Sequence, residues 1–328
     1  MTRDFSVVIC AYDERRWNLL RQAVSSVGEQ TLPPHEVIVV VDHNDFLLAR
    51  ARRDLPHVRV VRSSGPRGLH GARNTGVHAA TANHVAFLDD DAYATKRWLE
   101  LLAKPFSDDD VAGVGGPAWP IWEGGRPSWF PPEFEWVVGC HHRGMSFGQN
   151  EVRNLWGVNM SFRRDLLLTI GGFRIGYSCD ETELCIRLRQ RWPGKRLVLL
   201  PEARVMHHVR KSRTTVRRFL TRCYYEGGSK AVLSRLLGAR DALASERRYT
   251  WEILPRGVGR GIADFVLDQD PHGLARAGLI VGGLATTTAG YAVGHLMPIR
   301  AARRRGWDGE LGGRPSSRPY GDQGEGAR

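Results

Sequence analysis

Short apolar runs that each stop at a polar or acidic cluster govern what this chain can become. Ser6–Cys10, Val37–Val41, Val58–Val61 and His84–Leu88 are brief and rich in β-branched residues, the pattern of strands buried on both faces. Between them the spacing turns helical. Leu20, Val24 and Val27 predict an amphipathic helix over Arg15–Glu29, closed by Pro33 and Pro34, and Gly71–Ala82 reads as another. Strands alternating with helices predict a mainly parallel sheet with right-handed crossovers. Ligands of such sheets bind beyond the carboxyl ends of the strands. Tyr12 to Glu14, Asp42, and Asp89 to Asp91 stand there.

The rest of the chain is less regular. Residues 115–150 are rich in Gly, Pro and Trp and predict a loop-rich cover over a site, and Asn154–Phe162 returns to the sheet. Glu181–Arg191 is helical, with Glu183 and Arg187 as a favourable i,i+4 pair. Leu197–Leu200 and Ala203–Met206 are strand candidates, and Thr214–Leu237 a long basic helix. Ala277–Met297 is the most apolar late stretch, diluted by glycines, threonines and His295. Arg276 precedes it and Arg300, Arg303, Arg304 and Arg305 follow; residues 301–328 have the composition of a disordered tail.

Asp89-Asp90-Asp91 ends a buried strand, where adjacent carboxylates repel one another. A bound cation relieves that repulsion, and hard ions such as Mg²⁺ or Mn²⁺ combine carboxylates with substrate phosphates. A solvated turn or a helix cap is the bland alternative. Asp108-Asp109-Asp110 has no buried strand before it and reads as a surface turn. Five cysteines, an odd number without a Cys-x-x-Cys pair, disfavour a disulfide framework or a zinc ribbon, so Cys140-His141-His142 is a poor zinc site. No secretory leader is evident, and the expected location is cytoplasmic.

Several segments, in order, resemble the family 2 inverting glycosyltransferases of GT-A fold. They are Val7–Glu14, Val39–Asp42, Gly71-Ala72-Arg73-Asn74-Thr75-Gly76, Phe87–Asp91, Gly157–Arg164 with Gly171-Gly172-Phe173, and Asp180-Glu181-Thr182-Glu183-Leu184. The resemblance covers about residues 5 to 230. It implies a GT-A α/β sheet flanked by helices, which takes up residues 1–211; the long basic helix and the late apolar stretch make a C-terminal helical extension over 212–300. It also implies transfer of a sugar from a nucleotide-diphosphate donor, a UDP-sugar being favoured, to an acceptor hydroxyl. Ala11, Tyr12, Glu14 and Asp42 would line the nucleoside pocket, and Arg73, Asp89 and Asp90 would serve the donor. Asp91, Asp89 and His207 would hold Mn²⁺ or Mg²⁺. The last motif usually begins Glu-Asp; here the order is Asp180-Glu181, so Glu181 takes the base's place and Asp180 stays a candidate.

The charge, 47 basic against 35 acidic residues for a net of +12, fits an anionic partner without choosing one. A nucleotidyltransferase acting on sugar phosphates would want a glycine-rich basic loop where Ala11-Tyr12-Asp13-Glu14 stands. A basic nucleic-acid binder leaves the ordered acidic motifs unexplained, so no nucleic-acid partner is expected. The acceptor stays open among a polyprenyl-phosphate-linked sugar, a polysaccharide, a glycolipid and a small molecule. The segment 277–297 with its basic flanks is expected to lie peripherally on the cytoplasmic membrane face.

Overall fold

The computed structural model describes residues 4–145, 151–174, 179–239 and 246–297. The four apolar runs form β1 (Phe5–Ala11), β2 (Glu36–Val41), β3 (Arg59–Arg62) and β4 (His84–Asp89). These pair in parallel in the order β3-β2-β1-β4. Between them lie α1 (Trp17–Gly28), α2 (Asp45–Asp54) and α3 (Leu69–Ala79). The sequence pattern did not predict α2: it is rich in arginine and acid, and only Leu47, Leu48 and Ala51 are buried. Its start is fixed by the Asn44 side chain, which accepts a hydrogen bond from the Leu47 N–H at 3.0 Å.

The two hydrophobic cores follow from strand alternation. Val7, Ile9, Val39 and Val41 pack with Leu20, Val27 and Leu47 on one face. Val8, Ile38 and Val40 pack with Ala72, Val77 and Leu184 on the other. Burial on both sides explains why the runs are continuously apolar.

A second set of strands adds β5 (Ala92–Ala94), β6 (Val111–Gly115), β7 (Ala118–Trp122), β8 (Asn159–Arg163), β9 (Arg196–Leu199) and β10 (Val205–Val209). The large sheet continues β4-β8-β6-β9, with β8 antiparallel to both its neighbours. A small separate sheet has the order β5-β10-β7. The glycine- and tryptophan-rich middle is therefore partly regular: β7 and a 3-10 stretch at Pro132–Val138 interrupt it, and its residues 146–150 lie outside the described residues.

Further helices are α4 (Trp98–Ala103), α5 (Arg164–Thr169), α6 (Asp180–Arg191), α7 (Val216–Leu237), α8 (Leu254–Leu267) and α9 (His272–Leu296). A third core, with Phe130, Phe134, Phe219 and Ile280, seals the last three against the middle segment. Four of the glycines of α9, Gly273, Gly283, Gly290 and Gly294, serve close packing. A Cβ at Gly290 would stand 2.0 Å from the Tyr224 carbonyl oxygen, and one at Gly227 would stand 1.9 Å from that of Thr287, so α7 and α9 touch backbone to backbone. The helix α9 is also long and apolar enough to cross a membrane, by length and composition alone. Residues 301–328, read from sequence as a disordered tail, lie outside the described residues.

Candidate active site

Asp89 is the last residue of β4, and Asp91 directly precedes β5. The antiparallel register sets His207 of β10 opposite Ala92, and the His208 N–H donates to the Asp91 carbonyl at 2.8 Å. That pairing carries His207 to the carboxylates: its Nε2 lies 3.1 Å from Asp91 Oδ1. Asp89, Asp91 and His207 each offer a donor atom, and these atoms all lie within 4.8 Å of one another. Asp90 turns to Arg16, whose Nη1 donates to Asp90 Oδ1 at 2.7 Å and stands 3.1 Å from Asp91 Oδ2.

Burial dominates the electrostatics, and nearby charge decides its outcome. Burial disfavours an ionised Asp91, yet His207, Arg16 and Arg213 hold its carboxyl well below the usual range. Burial pushes Asp90 up to about 7 in spite of Arg16. Burial also opposes a charged His207, but Asp91 overrides it and lifts the imidazole to about 10. Two carboxylates and an imidazole are a donor set that Mn²⁺ or Mg²⁺ takes, and a metal would displace the His207 proton. Asp90 Oδ2, buried in the same cluster, has no hydrogen-bond partner among the described residues. The residues fit a divalent ion.

Arg73 of α3 joins this cluster to the second pair of carboxylates. Its side chain is 3% exposed, and its Nη1 lies 3.1 Å from both oxygens of Asp180, the first residue of α6. Its Nη2 donates to the Gly157 carbonyl at 3.0 Å and stands 3.7 Å from Asp89 Oδ1. The guanidinium that the family resemblance assigns to the donor is thus already engaged by protein. Burial raises Asp180, but Arg73 more than offsets it and holds the carboxyl below its ordinary value. Glu181 is only partly buried, and no ion pair holds it among the described residues. Burial and the Asp180 charge push it up to about 8.

On the side of β1 and β2, Asp42 Oδ2 accepts from the Gly68 N–H at 2.9 Å, and Asp42 Oδ1 lies 2.7 Å from His43 Nδ1. Ala11 ends β1, and its carbonyl accepts from the Asp42 N–H at 2.8 Å. The Tyr12 carbonyl accepts from Asn44 Nδ2 at 3.0 Å, and the Arg16 guanidinium lies 5.2 Å from the Tyr12 ring. Glu14 stands apart: it is exposed in a 3-10 turn, with no side-chain hydrogen bond or ion pair among the described residues. Arg16 carries no signal in the sequence, where it reads as one more charge at a helix start. Its partners Asp90 and Asp91 are remote along the chain, and no local signal marks them.

The model of glycosyl transferase family 2 matches residues 6–171, just over half of the chain. This chain is a member of that family. The match runs from β1 to the end of α5 and stops short of Asp180 and His207. Among relatives of this family 2 glycosyltransferase, the glucosyl-dolichyl phosphate glucuronosyltransferase of Haloferax volcanii is 35% identical over 243 residues, which is 70% of this chain and 77% of that one. The pre-mycofactocin glycosyltransferase of Mycobacterium tuberculosis is 32% identical over 233 residues, 67% of this chain and 46% of that one. In structure the chain resembles the mannosyltransferase PcManGT of Pyrobaculum calidifontis, solved with GDP-Man and Mn²⁺. The TM-score is 0.55 at 19% identity, covering 94% of this chain and 88% of that one. It also resembles GalNAc-T7, solved with UDP, GalNAc and Mn²⁺, with a TM-score of 0.51 at 18% identity over 78% of this chain and 57% of that one. The family 2 enzyme thus has the GT-A fold expected of it, and it is a glycosyltransferase.

Proposed function

We propose that this glycosyltransferase takes a sugar from a UDP-sugar and transfers it, with inversion, to a hydroxyl of a lipid-linked sugar on the cytoplasmic face of a membrane. The observation that carries the reading is the bridge made by Arg73. It sets the metal-ligand cluster of Asp89, Asp91 and His207 beside the Asp180–Glu181 pair, so the groups for donor activation and for proton removal adjoin one another.

Ala11, Tyr12, Glu14 and Asp42 serve the nucleoside and Asp89 the ribose and diphosphate, with Asp90 held against Arg16. When bound by Asp89, Asp91 and His207, Mn²⁺ or Mg²⁺ supplies Lewis-acid neutralisation of the diphosphate. Arg213, at 4.0 Å from Asp91 Oδ2, adds positive charge on the same side. Glu181 is the base that takes the acceptor's hydroxyl proton at its carboxylate. Its partner Asp180 is anchored by Arg73 and stays ionised, whereas Glu181 is half-buried, has no ion pair among the described residues and has a raised affinity for a proton.

The glucuronosyl and glucosyl-dolichyl phosphate terms in the Haloferax relative's name support a uronic donor and a lipid-linked acceptor. Membrane contact by the extension, residues 212–300 and 277–297 within it, gains support from α8 and α9. Ile262, Phe265, Val266, Leu267, Leu274 and Val281 are all exposed there. The test is transfer from UDP-glucuronic acid and UDP-glucose to a polyprenyl-phosphate-linked glucose, with Mn²⁺ and with excess chelator. The reading expects metal-dependent product of inverted anomeric configuration. Retained configuration, or full turnover in chelator, overturns it.

A further inference from the structure

Cys140 stands out in the sequence beside two histidines, and the catalytic reading leaves it without a task. Its side chain is fully buried (0%), next to His207, itself 3% exposed. Cys140 Sγ lies 3.4 Å from His207 Nδ1, the ring nitrogen opposite the one that faces Asp91. The same sulfur lies 3.9 Å from the Val138 carbonyl oxygen. Gly139, between those two residues, has φ of +82°, a left-handed turn that a side chain would strain. A Cβ there would also press on His207 Cε1 at 3.2 Å. The segment 138–140 therefore wraps the back edge of this one imidazole.

We propose that Cys140 is a positioning residue for the metal ligand His207, acting as the acceptor that fixes its tautomer. The inference rests on the metal-site reading above. A neutral imidazole can offer Nε2 to a metal only if Nδ1 carries the proton, and that N–H needs an acceptor. Ligand histidines ordinarily give this hydrogen to a carboxylate, a backbone carbonyl or water. Here the only partner at hydrogen-bonding distance of Nδ1 among the described residues is sulfur. The opposite polarity, S–H donating to Nδ1, would put the ring proton on Nε2 and block the metal. The Val138 carbonyl removes that conflict by offering the thiol hydrogen a separate acceptor. The chain then runs from His207 Nδ1–H to Cys140 Sγ, and from Sγ–H to the Val138 oxygen.

The test is Mn²⁺ binding to the full chain, followed by the loss of the free-ion paramagnetic resonance signal, in Cys140→Ala, Cys140→Val and Cys140→Ser. Serine keeps an acceptor for Nδ1–H and a donor for Val138, valine fills the volume without accepting, and alanine does neither. We expect alanine and valine to weaken Mn²⁺ binding by about 10–100-fold. Serine should stay within a few-fold of the unmodified protein. UDP binding in chelator and the metal-free thermal midpoint check that each variant is folded. Alanine and valine binding Mn²⁺ as tightly as cysteine overturns the proposal. So does valine behaving like cysteine while alanine and serine both fail, because packing would then be the cause. If the unmodified protein itself does not bind Mn²⁺, the metal-site reading falls, an outcome distinct from the other two.

Discussion

Asp89-Asp90-Asp91 and Asp108-Asp109-Asp110 have the same composition and opposite fates. The first run ends β4, with the Asp91 side chain only 4% exposed and in reach of Arg16, Arg213 and His207. The second sits in a turn before β6, with the Asp109 side chain 98% exposed; Asp109 pairs with Arg163 and Asp108 with Arg196. Repulsion between carboxylates is cheap where water screens it and costly where water is excluded. The buried run therefore demands compensating cations. The fold supplies two arginines and an imidazole, in a geometry that also suits a divalent ion. Position at the carboxyl end of a central parallel strand separates the two runs, and the count of acids does not.

The strongest way to break this contrast is Asp91→Asn. Losing a metal ligand that supports several kcal/mol of transition-state stabilisation should cost about 10⁴-fold in turnover. Excess chelator should do the same to the unmodified enzyme. Asp109→Asn should leave turnover within about 2-fold, since an isolated exposed side chain contributes little. Equal losses in the two variants, measured by UDP release, would erase the distinction.

Glu181→Gln comes next, with an expected loss of about 10²–10⁴-fold in turnover and donor affinity by calorimetry unchanged. Asp180→Asn should differ by also losing stability, about 3 kcal/mol in urea unfolding, because it leaves the buried Arg73 guanidinium without its main partner. An active Glu181→Gln beside an inactive but fully stable Asp180→Asn would transfer the base's role to Asp180.

The pH profile sharpens the same point. On the proposed reading Glu181 acts as a base only when ionised, and its raised value means that acid silences it first. Turnover should rise about tenfold per pH unit up to about 8 and then level off. A profile already flat well below that value would remove Glu181 from the role. The smallest effect belongs to the exposed run: replacing Asp108, Asp109 and Asp110 together by Asn should change stability by about 1 kcal/mol or less and leave turnover intact.

Much of the central sheet was legible in the chain. Each buried strand had to be continuously apolar, and its end had to be marked where the side chains turned polar. The helices were less so. The helix α2 has too many charges for a clear stripe, and its cap at Asn44 with three buried residues is enough to hold it. The helix α8 carries three glycines, Gly257, Gly259 and Gly261, and no separate helix is expected there from the sequence; two of them are buried where α8 meets Glu133 and Gly273. In α9 the glycines read as dilution of an apolar span, yet three-dimensional packing uses Gly273, Gly290 and Gly294 to bring backbones together.

What the sequence alone determined is the set of groups that stop at strand ends: Tyr12, Asp42, and Asp89 to Asp91. Their spacing follows from local chain geometry, because a strand's length and its terminus are neighbours along the chain. Tertiary structure decided the rest. His207 reaches Asp91 only through the register of β10 on β5, and Arg16 reaches Asp90 only because α1 begins beside the end of β4. Arg73 meets Asp180 across a sequence separation of 107 residues. The pKa of each of these groups depends on such distant neighbours and on exclusion of water, two quantities that no local pattern of residues encodes.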